Sequence, residues 1–100
     1  MRDLRYRKKI ARAFSEAVMC VTVHYGGGSD GFNDKYLNGK CKRDFSDVII
    51  ATDDGSILFG EGKGWVEEKI DGDRMKMWFK VGGAKLPADI YLYYSSIDRR

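Results

Sequence analysis

The sequence predicts an all-β protein: a two-sheet antiparallel β-sandwich, jelly-roll-like, with about seven short strands. Three observations favour this fold class. Turn signals rich in glycine, asparagine and aspartate recur at short intervals along the 100 residues. Short runs of β-forming residues lie between these turns. The composition, 43% hydrophobic and 13% aromatic, is typical of one globular domain over residues 1–100.

Each predicted strand lies between two turn signals. A helix is an alternative to the first strand, because apolar residues recur every four positions from residue 6 to residue 18. The clearest hairpin is centred on Asp71 and Gly72, a pair that accepts the positive φ angles of a tight primed turn. The predicted strands cover residues 6–12, 17–25, 45–51, 57–59, 65–70, 74–81 and 89–94.

Positive charge is concentrated at the N-terminus. Residues 1–12 carry six cationic side chains and one carboxylate, whereas the rest of the chain is slightly acidic. A basic arm of this kind can bind phosphates, but nothing beyond charge supports that function here. We therefore interpret the segment as a strand with solvated cations and do not expect nucleic acid as a partner.

The sequence contains no catalytic motif, so we expect a non-enzymatic protein without a cofactor. Its single histidine, His24, belongs to no metalloprotease, nucleophile-elbow or phosphate-loop pattern. Glu67 and Glu68 are adjacent on one predicted strand and should point to opposite sides, which argues against a catalytic carboxylate pair. One histidine and two cysteines are too few for a four-ligand zinc site. No apolar run approaches the roughly 20 residues of a membrane span, so insertion into a membrane is not expected.

Two smaller groups of residues each allow two interpretations. Cys20 and Cys41 either form a disulfide or remain as partly buried thiols, and the lack of an export signal favours thiols. Several aspartates near residues 44–54 offer oxygen ligands for calcium. Their spacing is not that of an EF-hand, and aspartate before glycine is typical of turns, so turn chemistry is favoured. The aspartates are Asp44, Asp47, Asp53 and Asp54.

The candidate binding residues follow from alternation in two strands. In "RMKMWFKV" (74–81), the alternation buries every second residue and turns Trp78 outward with Lys76 and Lys80. In "ADIYLYY" (88–94), it turns Tyr91 and Tyr93 outward. If the two strands are neighbours, the three rings form one aromatic patch rimmed by lysines, suited to a protein or a sugar. The alternative is cross-strand aromatic pairing that only stabilises the sheet. The alternation does not assign Trp65 to a face.

Most of the chain resembles a known family. The segments "RDFSDVIIATDDGSIL" (43–58), "WVEEKIDGDRMKMWFKV" (65–81) and "LPADIYLYY" (86–94) resemble, in order and spacing, the domain-of-unknown-function family 2341. That family occurs in surface proteins of bacteria and archaea. The resemblance implies an all-β sandwich, a strand at "YRKKI" (6–10), and no catalytic residues. Two segments depart from the family pattern: "GEGKG" (60–64) and residues 26–42.

These observations lead to one expected function and one alternative. We expect a structural or attachment module of a virion, filament or cell surface that acts through protein–protein contacts, either with a partner or by self-assembly. The start at Met1 and the lack of a visible signal peptide favour a virion component. The alternative is a carbohydrate-binding module that uses the aromatic patch.

Overall fold

The structure is a computed structural model that describes residues 4–82 and 85–96, and it consists of two four-stranded sheets. This confirms the all-β, two-sheet sandwich. Within the described residues there is no helix of the length and apolarity that a membrane span requires. The eight strands are β1 (Leu4–Ala13), β2 (Ala17–His24), β3 (Asp34–Tyr36), β4 (Ile49–Thr52), β5 (Ile57–Phe59), β6 (Trp65–Ile70), β7 (Arg74–Val81) and β8 (Ala88–Ser96).

The two sheets divide the chain between them. The first sheet has the strand order β1-β8-β4-β5, and the second has the order β3-β2-β7-β6. Neighbouring strands are antiparallel except β2 and β3, which run parallel. The sequence predicted an antiparallel sandwich, and this one parallel pair departs from it.

The core lies between the inward sides of the two sheets. Met77 and Phe79 on β7 and Ile90 and Leu92 on β8 are all fully buried, which confirms the inward positions that alternation predicted. They belong to one cluster that includes residues from both sheets. Full burial of each such side chain contributes roughly 1.5–3 kcal/mol, so this cluster supplies the main force that holds the sheets together.

The alternative prediction of a helix at the N-terminus is wrong, because β1 pairs with β8 along its length. The pairing shifts register between Lys9 and Ala11, which marks a β-bulge. The bulge lets Ile10 and Ala11 both contact the core, so apolar residues no longer alternate strictly. The four-residue spacing in the sequence does not mark a buried stripe, because Phe14 and Val18, which continue it beyond β1, are 73% and 52% exposed.

The segment between β2 and β4 differs most from the prediction. The sequence assigned no structure to residues 26–42, and the structure places β3 there, paired with the C-terminal end of β2. The strand predicted over residues 45–51 shortens to β4, because Phe45 has a φ of 60°, outside the extended range. Phe45 instead places its side chain in the core.

The hairpin between β6 and β7 is confirmed, with a different turn. Ile70 faces Arg74, so the loop has three residues, and only Gly72 has a positive φ, 74°. A three-residue loop with a left-handed residue is the next most common hairpin connection after the two-residue turns.

Lys8 joins the two sheets at the edge formed by β1 and β3. Its ammonium donates to Oδ2 of Asp30 and to the carbonyl oxygen of Tyr36, both at 2.8 Å. Partial burial alone would raise the pKa of Asp30, but hydrogen bonds from Lys8 and from the Tyr36 backbone N–H lower that pKa below its usual value. Asp30 is therefore ionised at neutral pH and holds the edge closed.

Candidate functional site

The five predicted binding residues lie on two different faces of the molecule. Trp78, Lys76 and Lys80 belong to β7, which pairs with β2 and β6 in the second sheet. Tyr91 and Tyr93 belong to β8, which pairs with β1 and β4 in the first sheet. The predicted single patch of three rings is therefore wrong, because it required β7 and β8 to be neighbours. All five side chains do point away from the core, as alternation predicted.

The second sheet carries a pair of tryptophans on its outward side, which we call the tryptophan face. Trp65 lies opposite Trp78 in the pairing of β6 with β7. The two rings stack with centroids 6.4 Å apart and planes 7° from parallel. Trp65 remains 52% exposed, whereas Trp78 is partly buried beneath its neighbours. The face thus presents one large exposed ring supported by a second.

Glu67 fixes the position of Trp78. The indole Nε1 of Trp78 donates a hydrogen bond of 2.6 Å to Oε1 of Glu67, and the ammonium of Lys76 lies 3.6 Å from the same oxygen. The Trp78 hydrogen bond, helped by the nearby Lys76 charge, lowers the pKa of the Glu67 carboxyl. The indole N–H therefore has a hydrogen-bond acceptor within the protein, and the ring remains available for packing.

A bulge in β6 brings two carboxylates to the tryptophan side. The register shifts between Val66 and Glu68, so Glu67 and Glu68 both reach outward groups of β7. Glu68 accepts hydrogen bonds from Arg74, with Nε at 3.1 Å from Oε1. The prediction that these carboxylates point to opposite sides is wrong, because the bulge interrupts the alternation. Each carboxylate pairs with its own cation.

An open pocket of about 350 Å³ lies beside Trp65. The loop that joins β5 to β6 forms one side through Gly62, Lys63 and Gly64, and Lys80 of β7 lies at another. An apolar ring beside a few polar groups is the usual composition of a small-ligand site. The pocket thus extends the tryptophan face toward the end of β7.

The first sheet carries tyrosines and cations on its outward side, which we call the tyrosine face. Tyr91 and Tyr93 lie two residues apart on β8, with ring centroids 6.3 Å apart. On β1, Lys9 faces Tyr91 and Arg7 faces Tyr93. The guanidinium carbon of Arg7 lies 4.4 Å from the centroid of the Tyr91 ring, a cation–π contact. The basic strand and the tyrosines therefore form one continuous surface.

Asp89 partly balances the charge of the tyrosine face. Its Oδ1 lies 3.2 Å from the Lys9 ammonium and 2.8 Å from the Arg12 guanidinium. Hydrogen bonds from Arg12 and Lys9 lower the pKa of the Asp89 carboxyl. Among the described outward side chains of β1 and β8, three cations thus face one carboxylate.

His24 takes part in a local contact between β2 and β3. Its Nε2 and Oδ1 of Asp34 share a hydrogen bond of 2.9 Å, and its ring stacks on Tyr36 with centroids 4.3 Å apart. Both partners belong to β3, so the histidine fastens this short strand to its neighbour.

The two cysteines are free thiols in different environments. Cys20 lies on β2 opposite Trp78, whereas Cys41 packs against the core. Burial raises the pKa of the Cys20 thiol and raises that of Cys41 to about 12. A nucleophilic cysteine needs a lowered pKa, whereas the pKa of both thiols here is raised.

Three of the four aspartates that the sequence offered as calcium ligands make turn contacts. Asp44 accepts a hydrogen bond from the Ser46 backbone N–H at 3.0 Å, and Asp47 accepts one from Lys42 N–H at 3.1 Å. Asp54 accepts from the Thr52 hydroxyl and from the N–H two residues later, which lowers its pKa to about 2. In the part of the chain that the structure describes, no three His, Cys, Asp or Glu side chains are grouped to hold a metal ion.

Comparisons with protein-family models, with curated proteins and with solved structures find no match to this chain. The geometry alone therefore defines the site. It adds Trp65, Glu67 and Arg7 to the residues that the sequence predicted. The sequence missed Trp65 and Glu67 because the bulge in β6 shifts the alternation. It missed Arg7 because it does not reveal which strand lies beside β1.

Proposed function

We propose that this protein is a non-enzymatic attachment module that binds other protein subunits through its tryptophan face. The observation that carries the proposal is the stacked pair of Trp65 and Trp78, in which Trp65 is half exposed and Trp78 is held by Glu67. A supported, partly exposed tryptophan surrounded by polar groups has the properties of an interface hot spot.

The energy available at this face is consistent with a specific contact. A tryptophan buries 150–250 Å² in an interface, and about half of the Trp65 surface is still exposed. Removing about 100 Å² from water contributes roughly 2–3 kcal/mol at 25 cal/mol per Å². Because the hydrogen bond of Trp78 and the stacking of Trp65 already order both rings, little side-chain entropy is lost on binding.

Charges next to the tryptophans favour a defined partner over indiscriminate pairing. The edge strand β6 is exposed at every residue, and exposed edges tend to pair with other chains. The bulge and the charges of Glu67, Glu68 and Lys69 interrupt a continuous edge-to-edge ladder. Contact through the outward side chains therefore fits this sheet better than strand addition. The partner that we propose is a second copy of this chain, as the neighbouring subunit of a virion, filament or surface layer.

The experiment compares self-association of the wild type with that of two variants. Trp65→Ala removes the exposed ring, and Phe32→Ala is the matched control, because Phe32 is 80% exposed but lies in the loop before β3. Sedimentation velocity over a range of concentrations should show association that Trp65→Ala weakens at least tenfold and Phe32→Ala leaves unchanged. Equal behaviour of both variants, or a protein that stays monomeric throughout, would contradict the proposal.

The pocket beside Trp65 favours a second candidate function, binding of a glycan. A sugar ring can pack on the exposed face of Trp65, while Lys63 and Lys80 offer hydrogen bonds to its hydroxyl groups. Titration of neutral and acidic oligosaccharides against intrinsic tryptophan fluorescence tests this candidate. A saturable change that Trp65→Ala abolishes, in a protein that remains monomeric, would replace the first proposal with the second.

A further inference from the structure

The tyrosine face joins two features that the sequence kept apart. In the sequence, only the charge of the basic N-terminal strand pointed to nucleic acid, and charge alone did not support such a partner. The structure places that strand directly beside Tyr91 and Tyr93, on the same outward side of the first sheet. This face is separate from the tryptophan face, so a ligand bound here is independent of the proposed function.

From this juxtaposition we propose that the tyrosine face binds single-stranded nucleic acid. Arg7 and Lys9 on β1 and Arg12 beyond the bulge form a row of cations along one edge of the sheet. Tyr91 and Tyr93 form a parallel row of rings on the neighbouring strand. Single-strand binding proteins combine these two elements: cations that follow the phosphate backbone and aromatic rings on which bases stack.

The geometry of the two rows matches an extended chain. Residues two apart on a strand are about 7 Å apart and share a face, so Arg7 and Lys9 can contact successive phosphates. The tyrosines opposite them have the same spacing and remain partly exposed. The ring contact of Arg7 with Tyr91 holds its guanidinium at the border between the two rows. Because this contact covers one face of Tyr91, the bases would stack on Tyr93 and on the guanidinium plane of Arg7 while the phosphates follow the cation row.

Charge and shape both favour a single strand over other polyanions. Three cations against Asp89 give the face a positive excess, which complements a phosphate backbone. A sheet face inserts no element into a duplex groove, and the bases of a duplex are not free to stack on side chains. A sulfated glycan supplies negative charge but no aromatic base, so it would leave the tyrosine rings unused.

The test measures fluorescence anisotropy of a labelled oligo(dT) of about 20 nucleotides, with the whole chain, in 50–200 mM salt. Three phosphate contacts predict that log K falls against log salt with a slope of about −2, since each contact contributes about −0.7 for single strands. Over that fourfold range in salt, affinity should fall by roughly 20-fold. A duplex of the same length and heparin should both bind more weakly than the single strand.

Variants separate the two rows. Arg7→Gln/Lys9→Gln should weaken binding at least tenfold in 50 mM salt and reduce the slope to about −0.7, because one cation remains. Lys69→Gln/Arg74→Gln is the matched control: it removes the same charge from the second sheet and should change affinity by less than twofold. Tyr93→Leu keeps an apolar side chain, and it should weaken binding at least fivefold without changing the slope.

Several outcomes would overturn the inference. One is absence of binding by the wild type in 50 mM salt, and another is equal loss of affinity in the two charge-removal variants. Heparin binding as tight as that of oligo(dT), together with no effect of Tyr93→Leu, would assign the face to anionic glycans or to general charge attraction. The comparison of oligo(dT), duplex and heparin uses the wild type alone, so it remains decisive if a variant fails to fold.

Discussion

Glu67 and Trp78 are joined across the β6–β7 pair by a hydrogen bond of 2.6 Å, and the bulge in β6 makes this contact possible. In a regular strand, Glu67 and Glu68 would lie on opposite sides, and only one of them could face the tryptophans. The extra residue turns both carboxylates outward, where Glu67 holds the indole and Glu68 pairs with Arg74. An irregularity of one residue thus organises the face that we propose to bind subunits.

The first prediction concerns this hydrogen bond. Glu67→Ala should leave the Trp78 indole without its acceptor, loosen the ring pair, and weaken the self-association proposed for the tryptophan face. Glu67→Gln keeps an oxygen acceptor and should retain most of the association. The measurements are sedimentation velocity and the tryptophan emission spectrum in a Trp65→Phe background, where the emission of Trp78 should shift to longer wavelength in Glu67→Ala. Glu68→Gln is the control, and an equal spectral shift there would disprove a specific role for Glu67.

The second prediction concerns the core. Phe79 is fully buried on β7, so Phe79→Ala should reduce the free energy of unfolding by about 3–5 kcal/mol. Phe14 is 73% exposed, and Phe14→Ala should change stability by no more than about 0.5 kcal/mol. Urea unfolding followed by circular dichroism measures both values. Wild-type-like stability of Phe79→Ala would show that the inward and outward sides of β7 had been interchanged.

The sequence predicted those parts of the fold where alternation is regular. In β7 and β8, strict alternation identified Phe79 and Leu92 as buried and Trp78 and Tyr91 as outward. The positions of turns were also predictable, because aspartate and glycine have clear backbone preferences there, as at Gly72. Local pattern was sufficient for these features.

The candidate sites could be predicted only in part, because they depend on which strands are neighbours. Alternation shows that Trp78 and Tyr91 point outward, but the pairing of β7 with β6 and of β8 with β1 is set by long-range packing. Bulges add a second difficulty, since one extra residue reverses the sides of every later residue in the strand. This is why the sequence wrongly placed Glu67 and Glu68 on opposite sides of the strand and did not assign Trp65 to a side.

The third prediction concerns the thiols. Burial raises the pKa of Cys20 and that of Cys41 to about 12, so both thiols are protonated near neutral pH and should react slowly with iodoacetamide. Cys41 should react more slowly than Cys20, since its pKa is raised further and its side chain packs against the core. Labelling at pH 8 of Cys20→Ser and Cys41→Ser, read by mass spectrometry, separates the two rates. Fast labelling of Cys41 in the native protein would contradict its packing, and labelling in urea gives the unprotected rate.

The fourth prediction concerns stability in acid at the edge where Lys8 contacts Asp30. Folding lowers the pKa of Asp30 below its usual value of 3.8, because the hydrogen bonds and the charge of Lys8 outweigh the effect of burial. A carboxyl with a lowered pKa stabilises the fold at pH values above 3.8, and this contribution is lost as pH falls below that value and the group takes up a proton. Asp30→Asn retains an oxygen that can accept the Tyr36 N–H but removes the charge.

The variant should therefore be less stable than the wild type at pH 7, and the difference should shrink as pH falls from about 4 toward 2, where Asp30 of the wild type also becomes neutral. Urea midpoints at pH 7, 5, 3 and 2 measure this dependence. Lys8→Gln is the matched control: in that background, Asp30→Asn should have a smaller effect at pH 7, because the ammonium that stabilises the carboxylate is gone. A difference in urea midpoint between the wild type and Asp30→Asn that stays constant from pH 7 to pH 2 would contradict this prediction. It would mean that the carboxylate acts at this edge only through neutral hydrogen bonding. Its ion pair with Lys8 would then not hold β1 against β3.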